Sequence, residues 1–263
     1  MLNEMSYTQK NLEHLFQRIG SFQNQAFVRT KHFDYIRTVD SAWPNQLLNL
    51  KASKQELDSI LDKIEHDASS GAIPAILMGN PHTENSVLRA IVKQRNYRSS
   101  VWYAMSHSLK DLPALPTRSD FKTIQVQTNS ELDSWLSIVK DELMGGVSLN
   151  KSVFAQLLQL EPCTFFLGIE NNLPVASSLL FKEQQLAGIY LVATKKTHRK
   201  KGYARYMTLQ CLLKAQEMGS KRAELQATEL GKRVYENLGF SHEGAIHVHR
   251  IEKANQLDAL PIL

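Results

Sequence analysis

Ile189-Tyr190-Leu191-Val192-Ala193-Thr194 is an apolar, β-branched run that stops abruptly at Lys195-Lys196-Thr197-His198-Arg199-Lys200-Lys201-Gly202-Tyr203-Ala204-Arg205. A helical pattern of Met207, Leu209, Cys211, Leu212, Leu213 and Ala215 follows. Strand, basic glycine loop, helix is an order that sets unpaired backbone N–H groups and the positive end of a helix dipole before an anion. The loop is not a Walker cradle, because Tyr203 follows Gly202 where Lys is needed. Nor is it a dinucleotide fingerprint, which needs three glycines at fixed spacing.

Around this stretch the chain has 263 residues, enough for two modest domains, with 43% hydrophobic and 22% charged residues, so a proper core is expected and wholesale disorder is not. Cys163 and Cys211 stand in no CxxC or Cys/His spacing, so neither a metal site nor a disulfide framework is expected, and a reducing, cytoplasmic setting fits. No apolar h-region opens the chain and no run of about 18 apolar residues occurs, so neither a signal peptide nor a membrane span is expected. The net charge is +5. Its densest cluster is the loop itself, which leaves no separate basic stripe for nucleic acid.

The N-terminal part reads as helix, helix, strand, helix, strand. Leu12, Leu15, Phe16 and Ile19 give residues 1–22 a helical stripe ending at Gly20. Phe27-Val28 and residues 33–36 are short strands or loops. Ser53 and Glu56 form a capping box before Leu57, Ile60, Leu61 and Ile64. Pro74 places residues 73–78 at an edge or a strand start. Gly79-Asn80-Pro81 turns the chain, Thr83 caps a helix bearing Val87, Leu88, Ile91 and Val92, and residues 97–105 are a strand. Residues 109–121, with Pro113 and Pro116, are the expected linker. Beyond it, residues 123–126 are a strand, Ser130 and Asn150 open helices, and residues 164–169 and 175–181 form a hairpin around Asn171-Asn172. The organising strand, its helix and residues 223–227 make one right-handed βαβ unit. A short helix over 229–238 and a last strand over 245–251 close the pattern.

The loop matches Arg-x-x-Gly-x-Ala at Arg199, Gly202 and Ala204, and Val234-Tyr235-Glu236-Asn237-Leu238-Gly239-Phe240 matches hydrophobic-Tyr-x-x-hydrophobic-Gly-Phe. These resemble motifs A and B of the GCN5-related N-acetyltransferases (the GNAT family), in the right order and spacing, over roughly residues 120–252. The resemblance implies an α/β fold with a mixed sheet. Residues 120–263 would be the catalytic GNAT domain, and residues 1–115 a smaller, degenerate acetyltransferase-like domain. That smaller domain is not expected to bind coenzyme A, because Pro81 removes an N–H donor near its only comparable turn.

The resemblance further implies acetyl-CoA as cofactor. Gly202, Tyr203, Ala204 and Arg205 would hold its pyrophosphate chiefly through their backbone, and Arg199, Lys200, Lys201 and Arg205 would add positive charge. Val192, Ala193 and Thr194 would pair with the pantetheine arm, and an N–H near Val192 would polarise the thioester carbonyl. Tyr235 is the expected catalytic residue, facing the departing thiolate. A thiol at ~8.5 against a tyrosine at ~10 makes full proton transfer uphill, so hydrogen bonding is the larger part of its role. Thr228 stands where the family often has an Asn near the pantetheine. The general base is open among Glu142, Glu183, Glu224, His242, His247 and His249. His247 and His249 share one face of the last strand, and Met144-Gly145-Gly146 suits an acceptor-contacting loop.

The function implied is transfer of acetyl from acetyl-CoA to a primary amine, small molecule or peptide, by direct attack in a ternary complex. The chain would be a monomer or homodimer with no nucleic-acid or membrane partner. Two alternatives stand beside it: a non-catalytic CoA-binding regulatory module, and a transferase using aminoacyl-tRNA, which would bind tRNA with a steep salt dependence.

Overall fold

The computed structural model describes residues 7–79 and 86–251. In chain order the elements are α1 (Tyr7–Gly20), β1 (Gln25–Arg29), β2 (Asp34–Thr38), β3 (Gln46–Leu48), α2 (Leu57–Ser69), β4 (Ile76–Met78), α3 (Ser86–Gln94) and β5 (Arg98–Ser108). There follow β6 (Phe121–Gln125), α4 (Asn129–Leu143), α5 (Lys151–Leu158), β7 (Cys163–Glu170), β8 (Leu173–Glu183), β9 (Leu186–Thr194), α6 (Tyr203–Glu217), β10 (Arg222–Thr228), α7 (Glu229–Glu236) and β11 (Ser241–Arg250).

The helices form where apolar spacing and caps agree. Leu12, Leu15, Phe16 and Ile19 of α1 are all buried. A capping box opens α4 at Thr128, ahead of Ser130: the Thr128 side chain accepts from Glu131 N while Glu131 reaches back. Asn150 caps α5 through Ser152 N. Ser53 and Glu56 hydrogen-bond one another, but their box opens a turn ahead of α2. Asn171 and Asn172, at φ 47° and 66°, make the tight β7–β8 turn. The expected turn beyond Gly79 and the Thr83 cap lie outside the described residues.

All eleven described strands join one mixed sheet in the order β1-β2-β3-β4-β11-β5-β10-β9-β8-β7-β6. β3, three residues long and without alternation, has no sequence signal, and β4 is an interior strand rather than an edge, with Pro74 just ahead of it. The two halves of the chain are interleaved. β5 lies between β10 and β11, and β11 lies between β4 and β5. β4 and β5, joined through α3, therefore run parallel with β11 filling the space between them.

The sheet is covered on both faces. Tyr190, Ala193, Ile246 and Val248 face α1, α4 and α5 around Trp135, which is fully buried and donates its indole N–H to Ser178 O at 3.1 Å. Ile189, Ala223 and Leu225 face α6 and α7 on the other side, where α2 and α3 cover the N-terminal strands. Burial at this density contributes about 25 cal/mol per Å² of apolar surface removed from water.

The placement of the parallel pair β9 and β10 depends on Gly188. Its Cα hydrogen faces Asn11 of α1 and the Tyr190 ring, and Tyr190 Oη donates to Asn11 Oδ1 at 2.6 Å. A methyl group there would enter both side chains. Gly188→Ala is expected to destabilise the fold by about 1–3 kcal/mol through overpacking, read as a lower denaturant midpoint with an unchanged slope; an unchanged midpoint would contradict this packing.

Candidate functional site

β9 and β10 are paired in parallel at Arg222 with Leu186, Ala223 with Ala187 and Glu224 with Gly188, and then they part. β10 continues against β5 as far as Thr228 and Trp102, and β9 continues against β8 as far as Thr194 and Ala176. The facing edges of residues 189–194 and 225–228 thus leave a wedge between two extended strands. β9 also carries a bulge: Leu191 and Val192 oppose Ser178, and Leu191 sits at φ 51°. A non-glycine residue in the left-handed region is strained backbone of the kind that re-aims a strand beside a functional site. The Leu191 carbonyl accepts from Ser177 Oγ at 3.1 Å. Val192 turns to the α6 face, while Leu191 and Ala193 turn to the α1 face.

The basic loop leaves the end of β9 and is held from three sides. Glu142, at the end of α4, accepts from Lys196 N at 3.0 Å and from Arg199 Nη2 at 2.8 Å, and Arg199 Nε donates to Thr194 O at 3.3 Å. Buried Glu170, at the end of β7, receives Lys201 Nζ at 2.7 Å, His198 Nε2 at 3.0 Å and the Tyr203 hydroxyl. Lys201 and Tyr203 hold the Glu170 carboxyl below the usual range. Arg118 donates to Lys201 O at 3.0 Å and lies over the Tyr203 ring, which stacks on Phe121 at 4.0 Å.

These ties use the Lys196 amide, carbonyls and side chains, but not the amides of residues 200–205. None of the N–H groups of Lys200 through Arg205 finds an acceptor among the described residues. They lie where the loop turns, with Lys200 at φ 66° and Gly202 at φ 82°, into the first turn of α6. Open space surrounds Gly202, so its backbone angle rather than a lack of room calls for glycine. Successive free amides at a helix start form an anion-binding concavity. Lys195, Lys196, Lys200 and Arg205 have no ion pair among the described residues and add positive field around it.

Several residues expected to contact a ligand also have structural roles. The Arg199 guanidinium and the Lys201 ammonium brace the loop, and the Tyr203 ring is core, 1% exposed, so its amide is the part left to a ligand. Thr228 caps α7 by accepting from Gly231 N at 3.3 Å. Ala204 is half-buried in the first turn of α6, and the Thr194 hydroxyl is buried without a hydrogen bond. Tyr235 sits on α7, half-buried, with its ring edge on Phe240 at 5.8 Å and its hydroxyl without a hydrogen-bond partner among the described residues. Burial lifts its pKa above the ordinary 10. It packs on the same apolar cluster as Val192.

The candidate bases separate clearly. Glu142 holds the loop, His242 pairs with Glu236 at 2.8 Å, and His247 and His249 lie on the part of β11 beside α3. Glu224 lies where β9 and β10 part. It is 1% exposed and neither carboxyl oxygen has a hydrogen bond; Arg222 Nε is 3.6 Å away. Burial pushes its pKa up to about 7. The Met144-Gly145-Gly146 segment is pinned rather than free: Met144 is buried, and the following Ser148 O accepts from Ala42 N at 2.8 Å in the N-terminal half. Glu142, Glu170 and Arg118 have no local sequence signal, since their partners in the loop lie far along the chain.

Comparison with known proteins agrees with this geometry. Residues 128–240 match the model of the acetyltransferase (GNAT) family. A GCN5-related N-acetyltransferase from Kribbella flavida superposes with a TM-score of 0.71 at 17% identity, over 97% of this chain and 99% of that one. One from Sphaerobacter thermophilus gives 0.64 at 14% identity, over 92% and 86%. A conserved protein of unknown function from Staphylococcus epidermidis gives 0.63 at 9% identity, over 87% and 94%. No curated protein matches the chain significantly. At these identities the structural likeness is one of fold, and it extends through both interleaved halves. With wedge, bulge and free-amide loop inside the matched segment, residues 128–240 are an acyltransferase domain of the GNAT acetyltransferase family.

Proposed function

We propose that the protein is an N-acetyltransferase that moves acetyl from acetyl-CoA to a primary amine, small molecule or peptide, by direct attack within a ternary complex. One observation carries this reading: an unpaired strand edge at residues 189–194 leads directly into six amides without acceptors at residues 200–205. An extended arm ending in linked phosphates fits that sequence of groups. The residues present therefore suit acetyl-CoA, which supplies an acetyl group activated as a thioester. The amides of Lys200 to Arg205 hold the pyrophosphate, with Lys200 and Arg205 adding charge. Val192, Ala193 and Thr194 offer backbone to the arm, and the Thr228 hydroxyl, already an acceptor for its helix, retains one hydrogen to donate.

Each remaining group has a chemical task. A backbone N–H at the Leu191–Val192 bulge meets the negative charge that develops on the carbonyl oxygen. Tyr235 donates a hydrogen bond to the sulfur as it leaves. Its raised pKa makes it a weaker acid, so it keeps its proton and stabilises the thiolate by hydrogen bonding. Glu224 receives the proton lost by the amine: its lifted pKa makes it a stronger base than an ordinary carboxylate. We further propose that residues 1–115 and 120–263 act as two domains, and that the first does not bind coenzyme A because β11 fills its strand gap.

Three outcomes test this. Calorimetry is expected to show acetyl-CoA binding that Gly202→Asp abolishes by placing a carboxylate among the amides. Over an amine panel, Tyr235→Phe is expected to lower kcat by about tenfold or more while acetyl-CoA affinity holds. Binding without turnover on any amine would leave a cofactor-binding module instead.

Glu224 gives the pH test. Between its ordinary 4.5 and about 7 the folded state keeps a proton that the unfolded chain releases. Stability therefore falls as pH rises through that window. Glu224→Gln is expected to raise stability above pH 7 and to lower kcat by about 10². A loss of stability there, or unchanged kcat, would remove Glu224 from this role.

A further inference from the structure

The sheet face between α3 and β11 carries a second group of cations that the acetyl-transfer reading does not use. His247 and His249, two residues apart on β11, stack their rings at 6.3 Å with an interplanar angle of 11°. They line a cleft of about 480 Å³ together with Arg89, Lys93 and Asn96 from the α3 side and Ser99 at the start of β5. His249 is 1% exposed and its Nδ1 is 2.8 Å from Ser99 Oγ, so the cleft floor is set by packing and a hydrogen bond.

The charges are one-sided. No acidic side chain lines the cleft among the described residues. Arg89 and Lys93 stand at i, i+4 on α3, where like charges repel, and neither has an ion pair among the described residues. The carboxylates of α2 do not relieve them, because Asp58, Asp62 and Glu65 are taken up by Arg95. With His249 and Ser99 bonded to each other in the floor, the guanidinium of Arg89, the ammonium of Lys93, the imidazole of His247 and the amide of Asn96 are a donor set that recognises a tetrahedral oxyanion.

We propose that this cleft binds the phosphate group of a small phosphorylated molecule, at a site built across the seam between the halves. Arg89 and Lys93 come from the N-terminal half and the two histidines from the last strand of the C-terminal half. A ligand here draws α3 onto β11 and so ties the two halves together.

Inorganic phosphate is the probe, titrated at constant ionic strength against chloride, with the wild type, R89A/K93A and G202D compared. The ring resonances of His247 and His249, assigned through H247N and H249N, are expected to move saturably with phosphate, and the melting temperature to rise. G202D is expected to retain both responses, because it alters the other anion loop. R89A/K93A is expected to weaken the response by about tenfold or more. The proposal is overturned if the ring resonances do not move, if G202D removes the response, or if R89A/K93A responds like the wild type. None of these results depends on acetyl transfer, and loss of acetyl-CoA binding in G202D leaves the cleft's response untouched.

Discussion

Everything at the site depends on two parallel strands that cannot stay together. Pairing of β9 with β10 ends at Gly188 and Glu224. Backbone N–H and C=O groups without partners are costly once buried, so a wedge of this kind persists only where the surroundings enforce it. α1 is fixed over the vertex through Asn11 and Tyr190, and Gly188 gives it room. The Leu191–Val192 bulge turns the far end of β9 away. On the other side β10 is held along its full length by β5.

The loop beyond β9 follows the same logic. Glu142, Glu170 and Arg118 hold it by the Lys196 amide, a carbonyl and side chains, and the amides of residues 200–205 remain without acceptors among the described residues. Part of the positive charge in the sequence is thus structural. Arg199 and Lys201 set the shape of the loop, while Lys200 and Arg205 have no ion pair among the described residues. Preorganised donors of this sort cost no rearrangement when charge arrives.

Much of this was legible before any coordinates. The strand-loop-helix stretch at 189–215, the hairpin at Asn171-Asn172, the caps at Asn150 and around Thr128–Ser130, and Tyr235 on a short helix all rest on local patterns of period 2 or 3.6 and on turn chemistry. What could not be read is long-range. β3 is three residues with no alternation, and the insertions of β5 and β11 into each other's half have no local signature. The burial of Glu224 and the brace at Glu170 arise from neighbours far along the chain. The alternation of His247 and His249 showed that they share a face, but not that Arg89 and Lys93 would stand beside them.

The central claim is that the amides of residues 200–205 and the free edge of residues 189–194 receive one extended, phosphorylated ligand. Amide hydrogen exchange with and without acetyl-CoA tests it most directly. The account predicts slowed exchange confined largely to those two segments. Exchange there that is unchanged at saturating acetyl-CoA, or protection only elsewhere in the chain, would contradict it.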